Sequence, residues 1–303
     1  MDSSNGSSST PIDVHEIINT QFITYLEHGI IPWHISWDYG DIPRNLISGR
    51  AYGGINLWSL LVAGYERNLF LSWEQIKAIG GSVNKGETGH IVAYWQKRDK
   101  QAESKKGGLR YYKVFNIAQC TDIRADLIPP LPEPEDGVGV LERCEAIVHG
   151  YTDGPSIVHK GKKMAYDVHN DVITIPPYKH FKEVILYYEA LFRPLVSSTG
   201  TQQRLNRKAF KELELFPEGS VDMEGLIADM GSSLLCSTAG IVPERRKDVG
   251  TTIESWLPIF KKDKRFLIQA ASQAHKAANY ILNVKEAEVT DEAEEERDES
   301  VVR

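Results

Sequence analysis

Apolar side chains recur at Val14, Ile17, Ile18, Phe22, Tyr25 and Leu26. That spacing lines one face of a helix over 12–28, and Gly29 follows as a natural C-terminal stop. Residues 30–56 break the pattern with Trp, Pro and Gly and read as a loop. Helices are predicted over 56–63 and 73–79, the second closed by Gly80-Gly81. Residues 90–96 alternate and are rich in β-formers, which predicts a strand. A charged turn over 97–108 then leads to a returning strand over 109–117. After the proline-rich IPPLPEPEDG, a helix is predicted over 138–150 and one strand over 166–175, stopped by Pro176-Pro177. Helical periodicity dominates the remainder, over 180–198, 222–240 and 251–283. The pattern implies an α+β fold in two domains. One spans 12–125. A proline-rich linker over 126–137 would permit relative motion. The second, over 138–284, is α-rich with a small sheet. Residues 1–11 and 285–303 read as disordered tails.

Composition narrows the function classes. A length of 303 residues fits two domains. No apolar run approaches the ~20 residues that span a bilayer, so no membrane partner is expected. Residues 1–10 are polar and Ser-rich and read as a flexible tail rather than a secretion signal. Cys120, Cys144 and Cys236 are odd in number and form no CxxC pair, which argues against a disulfide framework and a cysteine zinc site. The cytoplasm is the expected compartment. The net charge of −7 is unevenly spread. Residues 285–303 carry nine acidic and three basic side chains, a net of −6, whereas residues 84–113 carry eight basic and three acidic, a net of +5. The distribution matters more than the total for attracting a polyanion. The acidic end reads as a solvated tail, with a DNA-mimicking competitor for the basic segment as the sharper alternative.

Single-stranded nucleic acid is held by aromatic faces that stack on bases and by Lys, Arg and amide groups on phosphates. Residues 33–116 supply both. Trp58 and Trp73 fall in predicted helices and are assigned to the core. On the strand pair, Ile91, Ala93 and Trp95 lie on one face and Val92, Tyr94 and Gln96 on the other. Tyr111, Lys113 and Phe115 alternate likewise with Tyr112, Val114 and Asn116. Both faces are partly apolar, so alternation does not say which is open. The candidate DNA-binding residues are Trp33, Trp37, Asn45, Arg50, Tyr52, Asn56, Lys85, Tyr94, Trp95, Lys97, Tyr112 and Lys113.

The segments PWHISW (32–37), PRNLISGRAYGGINLWSL (43–60), LSWEQIKAIGGSVNKGETGHIVAYWQKR (71–98) and YYKVFNIAQC (111–120) resemble the N-terminal domain of ArdC-type antirestriction proteins. The SG-x-x-Y-x-G-x-N pattern of that domain maps onto Ser48, Gly49, Tyr52, Gly54 and Asn56. Its K-G-E and Y-W motifs map onto Lys85, Gly86, Glu87, Tyr94 and Trp95. The resemblance implies an α+β domain that binds single-stranded DNA, carried by mobile elements and phages.

In the same family the second domain resembles a zincin metallopeptidase, with HExxH on a helix, then STGH and R-L-N-R. The matching stretch here is YYEALFRPLVSSTGTQQRLNR (187–207). Arg193 stands for the first His, Pro194 for the catalytic Glu, Ser197 for the second His and Thr201 for a further His. Asp229 occupies the place of the acidic third ligand. Arg193 stays protonated and offers no acceptor, Ser197 is a poor zinc ligand, and no general base remains. Pro194 removes a helix hydrogen bond and would bend or restart the helix. His159, His169 and His180 form no HxxxH or HxH pair. The reading is therefore a single-strand-binding antirestriction factor with a pseudo-metallopeptidase domain, no metal and no other cofactor. The alternatives are a scaffold whose pseudo-peptidase cleft binds a protein partner, and a metallopeptidase with a rearranged metal site.

Overall fold

Asp13 accepts the backbone N–H of His15 and opens helix α1 (Val14–Glu27), and Gly29 ends it with a left-handed φ of 79°. The structure is a computed structural model that describes residues 13–35, 37, 41–96, 108–130, 137–208, 223–241 and 249–284. The two tails, the turn that holds Lys97, and residues 131–136 of the linker lie outside the described residues.

The N-terminal half is built on a sheet of β1 (Arg44–Asn45), β2 (Leu69–Ser72), β4 (His90–Gln96) and β5 (Gly108–Asn116), in the order β1-β2-β5-β4. β1 runs parallel to β2 and the other pairs are antiparallel. β3 (Ser82–Val83) and β6 (Cys120–Thr121) form a separate small pair. Helices α2 (Ile55–Leu61) and α3 (Trp73–Ala78) flank the main sheet. β4 is an edge strand, and Asn56 covers part of its open edge. The Asn56 amide donates to the Ala93 carbonyl at 2.7 Å and accepts the Ala93 N–H at 2.8 Å.

The C-terminal half begins with α4 (Gly137–Gly150). A sheet of β7 (Ser156–His159), β8 (Ala165–Asp167) and β9 (Val172–Ile175) follows, in the order β7-β9-β8. The single strand expected over 166–175 is thus two strands joined by a turn, with Asp171 at a positive φ of 52°. A Tyr-Asp-Val-His-Asn-Asp run hides that turn because it contains no glycine. Helices α5 (Val184–Ser198), α6 (Met223–Ala239), α7 (Val249–Lys262) and α8 (Phe266–Ile281) complete the half. The single helical stretch expected over 251–283 is broken after α7, where Asp263 accepts the backbone N–H of Arg265. α5 runs through buried Pro194 as one helix and does not restart there. No helix among the described residues is long and apolar enough to cross a membrane.

One apolar core joins the halves. Ile18, Phe22 and Leu26 of α1, Trp33, and Trp58 of α2 belong to the same buried cluster as Phe192, Phe260 and Ala270. The Asn19 amide donates to the Phe260 carbonyl at 2.8 Å, and Lys264 pairs with Asp13 at 2.6 Å. The relative motion that a proline-rich linker would permit is opposed by this shared core.

α5 and α6 approach closely where a Cβ added to Gly231 would lie 2.7 Å from Cγ1 of buried Val196. Gly231→Ala should lower stability by about 1–3 kcal/mol in urea denaturation. Gly250→Ala, whose added Cβ meets nothing within 4 Å, should leave stability unchanged or raise it slightly. An unshifted urea midpoint for Gly231→Ala would contradict this packing.

Candidate functional site

The candidate residues divide among four settings. In the first, four residues are tied into the scaffold. Trp33 is fully buried, and its indole N–H donates to Asp229 at 2.8 Å, so it offers no face to a base. Tyr52 is buried against Phe70 and Leu60, beneath Tyr112. Asn45 bonds Gln75 and accepts the backbone N–H groups of Ile47 and Ser48, and Asn56 covers the β4 edge. These four placements share a cause: a polar or aromatic group in a glycine-rich loop is equally suited to closing the loop on its scaffold.

The second setting is the sheet face that bears Val92 and Val114. Near its core end, these residues are buried on Leu60 and Phe70. Further along, burial lessens. Tyr94 and Tyr112 are half-buried there with ring centroids 5.9 Å apart. Arg110 lies directly opposite Tyr94 and is exposed, with its Nε donating to Gln96 at 3.1 Å. Arg110 was absent from the candidate set; its register opposite Tyr94 is the signal that finds it. The third setting is the opposite face, which carries Trp95, 63% exposed, and exposed Lys113. His15 of α1 touches Trp95 edge-on. The fourth setting is the surrounding loops, where Arg50 and Lys85 are exposed and half-buried Trp37 packs edge-on against Trp58. Lys97 lies outside the described residues. Trp58 is buried, whereas Trp73 is 44% exposed and not the core residue expected. It sits at the first turn of short α3, with Lys77 over its ring at 5.2 Å.

Arg193 and Asp229, two of the positions that the resemblance aligns with metal ligands, come together as an ion pair. Arg193 Nη1 donates to Asp229 Oδ1 at 2.8 Å, and Nη2 reaches the Gly225 carbonyl at 3.2 Å. Trp33 Nε1 and His34 Nε2 meet Asp229 Oδ2 at 2.8 and 3.0 Å. A carboxylate only accepts, so His34 carries its proton on Nε2. Ser197 Oγ turns back onto the Arg193 carbonyl at 3.3 Å. These residues do not fit a metal ion. Both Asp229 oxygens face N–H donors, and the guanidinium brings a positive charge to the place where a cation would sit. Among the described residues, no group of three or more His, Cys, Asp and Glu comes together to hold a metal. His34 escaped the sequence reading because 195 residues separate it from Asp229.

The two arginines of RLNR brace the loop after α5. Arg207 bonds both oxygens of buried Glu224, at 2.9 and 2.7 Å, and Thr199 at 2.6 Å. Arg204 pairs with Asp171 at 2.7 Å and holds that carboxyl below the usual carboxylate range. Buried Thr201 donates to the Ser198 carbonyl at 3.2 Å. These contacts fix the loop after α5 against α5, α6 and the turn that precedes β9.

Residues 12–117 match the family described as the N-terminal domain of anti-restriction factor ArdC, and residues 142–273 match a zincin-like metallopeptidase family. The chain is 29% identical to protein y4eC of Sinorhizobium fredii, across 90% of this chain and 92% of that one. It is 26% identical to a DNA primase TraC of Escherichia coli across 91% of its length, but spans only 20% of the primase. Among solved structures, metal-free antirestriction ArdC protein from plasmid R388 is similar with a TM-score of 0.72 and 26% identity, covering 91% of this chain and 100% of that one. The Mn(II)-bound structure of that protein matches with a TM-score of 0.72 and 27% identity, over 90% and 98% of the two chains.

Asp229→Ala strands the buried Trp33 N–H, which should cost about 1–3 kcal/mol. The pair itself adds less, because the Arg193 side chain is 39% exposed and can turn to water. Arg193→Ala should also destabilise, and the double variant should lose less than the sum of the two. Additive losses in chemical denaturation would show that the two residues are not partners.

Proposed function

This chain belongs to the ArdC-type antirestriction family, with a zincin-like C-terminal domain, and we propose that it binds single-stranded DNA through its N-terminal half without peptidase activity in the other. On this reading it serves a plasmid or other mobile element as an antirestriction factor. The observation that carries the DNA-binding reading is the half-buried Tyr94–Tyr112 pair with exposed Arg110 opposite Tyr94, on a sheet face that is apolar beneath. Bases stack on the tyrosines regardless of sequence, because every base has a π-face. Arg110 takes a phosphate, and Lys85 and Lys113 extend the positive field on neighbouring surfaces. Of the other candidates, Trp95 and Arg50 have the exposure a contact requires. The loss of peptidase activity rests on chemistry: a guanidinium in place of the first ligand and Pro194 in place of the base leave nothing to activate water.

Fluorescence anisotropy with labelled single-stranded and duplex oligonucleotides of equal length tests the binding reading. The wild type should prefer the single strand. Tyr94→Ala or Tyr112→Ala should weaken binding about 5- to 100-fold. Arg110→Ala should reduce the salt slope by about 0.7. Equal affinity for duplex, or no binding, would sink the proposal.

A further inference from the structure

One end of the C-terminal sheet carries an aromatic stack ringed by lysines that none of the chemistry above uses. β7 and β8 flank β9, and residues 160–164 cross from one to the other over the end where β9 leaves toward Pro176. His159 is in register with Ile175 and Ala165 with Thr174, so Lys160, Lys162 and Lys163 share that end with Tyr178 and Lys179. His159 is stacked with Tyr178 at 5.4 Å and 29°, and with Tyr187 at 5.7 Å and 23°. The Tyr178 and Tyr187 centroids are 4.0 Å apart. Tyr187 is buried, and its hydroxyl is hydrogen-bonded to His159 Nε2 at 2.9 Å. The stack is therefore fixed from beneath before any ligand arrives, while its outer ring, Tyr178, is 43% exposed. His159 and all four lysines are exposed, and among the described residues none of these lysines is held in an ion pair.

We infer that this end of the sheet is a second contact for single-stranded nucleic acid, with a base stacked on Tyr178 and the adjoining phosphates on Lys160, Lys162, Lys163 and Lys179. The inference rests on the proposed single-strand binding of the other half. The braced ring favours nucleic acid over an acidic peptide. A carboxylate side chain needs only the charges, whereas a base also uses the open π-face. Lysines suit a backbone of regularly spaced phosphates, which they meet as point charges. The site also gives a role to His159, which belongs to no metal-holding group among the described residues.

The test uses the full chain and a 5-bromouracil-substituted single-stranded oligonucleotide, cross-linked by ultraviolet light and mapped by mass spectrometry. Adducts are expected on the peptides bearing His159 or Tyr178 as well as in the N-terminal half. In anisotropy, Tyr178→Ala and the Lys160→Ala/Lys162→Ala/Lys163→Ala triple variant should each bind about 5- to 30-fold more weakly, with Tyr178→Phe restoring affinity. All of these positions are exposed, and unchanged circular dichroism and melting would confirm the fold of each variant. Wild-type binding with adducts confined to the N-terminal half, and unaltered affinity in both variants, would overturn this inference alone. No binding of the oligonucleotide by the wild type would overturn the single-strand reading and this inference together. Binding of a labelled polyglutamate peptide that is lost in the triple variant, with no oligonucleotide adduct at Tyr178, would overturn it in favour of an acidic peptide.

Discussion

A carboxylate with almost no access to water must be paired, and the Asp229 carboxylate is nearly inaccessible. In a metal site a divalent cation would satisfy such a group. Here the chain supplies the cation itself, as Arg193 of α5. The other Asp229 oxygen is occupied from the N-terminal half, by Trp33 and His34. One charge on α6 thereby fixes α5 on one side and the loop after α1 on the other. The Ser233 hydroxyl reinforces the same joint by donating to the Trp33 carbonyl. The shared apolar core supplies the bulk of the cohesion, and the Asp229 cluster supplies its polar register.

What was legible in the sequence follows from range. β4 could be read to its ends because alternation is a local signal. β2 was missed because Leu69–Ser72 is short, with its first three residues buried, and so shows no alternation. The positions of Arg193 and Ser197 could be placed because the flanking STG–RLNR frame aligns with the family it resembles, and that of Asp229 because residues 223–236 resemble the helix that carries the family's acidic ligand. Their partners could not. Trp33 and His34 approach Asp229 only through the tertiary fold, and a Trp in an irregular loop suits a ligand face and a core equally well. Trp73 erred in the opposite sense: a helical segment suggested burial, but α3 is six residues long and presents that ring to solvent.

The same sheet register explains why the DNA-binding candidates separate. Adjacent residues of a strand point to opposite faces, so Tyr94 and Trp95 cannot both contribute to one stacking surface. Tyr94, Tyr112 and Arg110 share a face. Trp95 and Lys113 share the other, near α1. The contiguous Y-W motif thus encodes two surfaces, and Asn56 holds the edge strand that separates them.

The ion pair of Arg193 and Asp229 leaves no room for a metal ion between α5 and α6. Electron paramagnetic resonance of Mn(II) mixed with an equal concentration of the full chain measures this directly, because protein-bound ion drops out of the sharp signal of free Mn(II). Asp229→Asn serves as the control for weak binding elsewhere, including the acidic residues beyond α8. The account predicts the same free-ion signal for wild type and variant. A signal lost in the wild type and restored by Asp229→Asn would mean that Asp229 still binds metal and that the Arg193 pair opens to admit it.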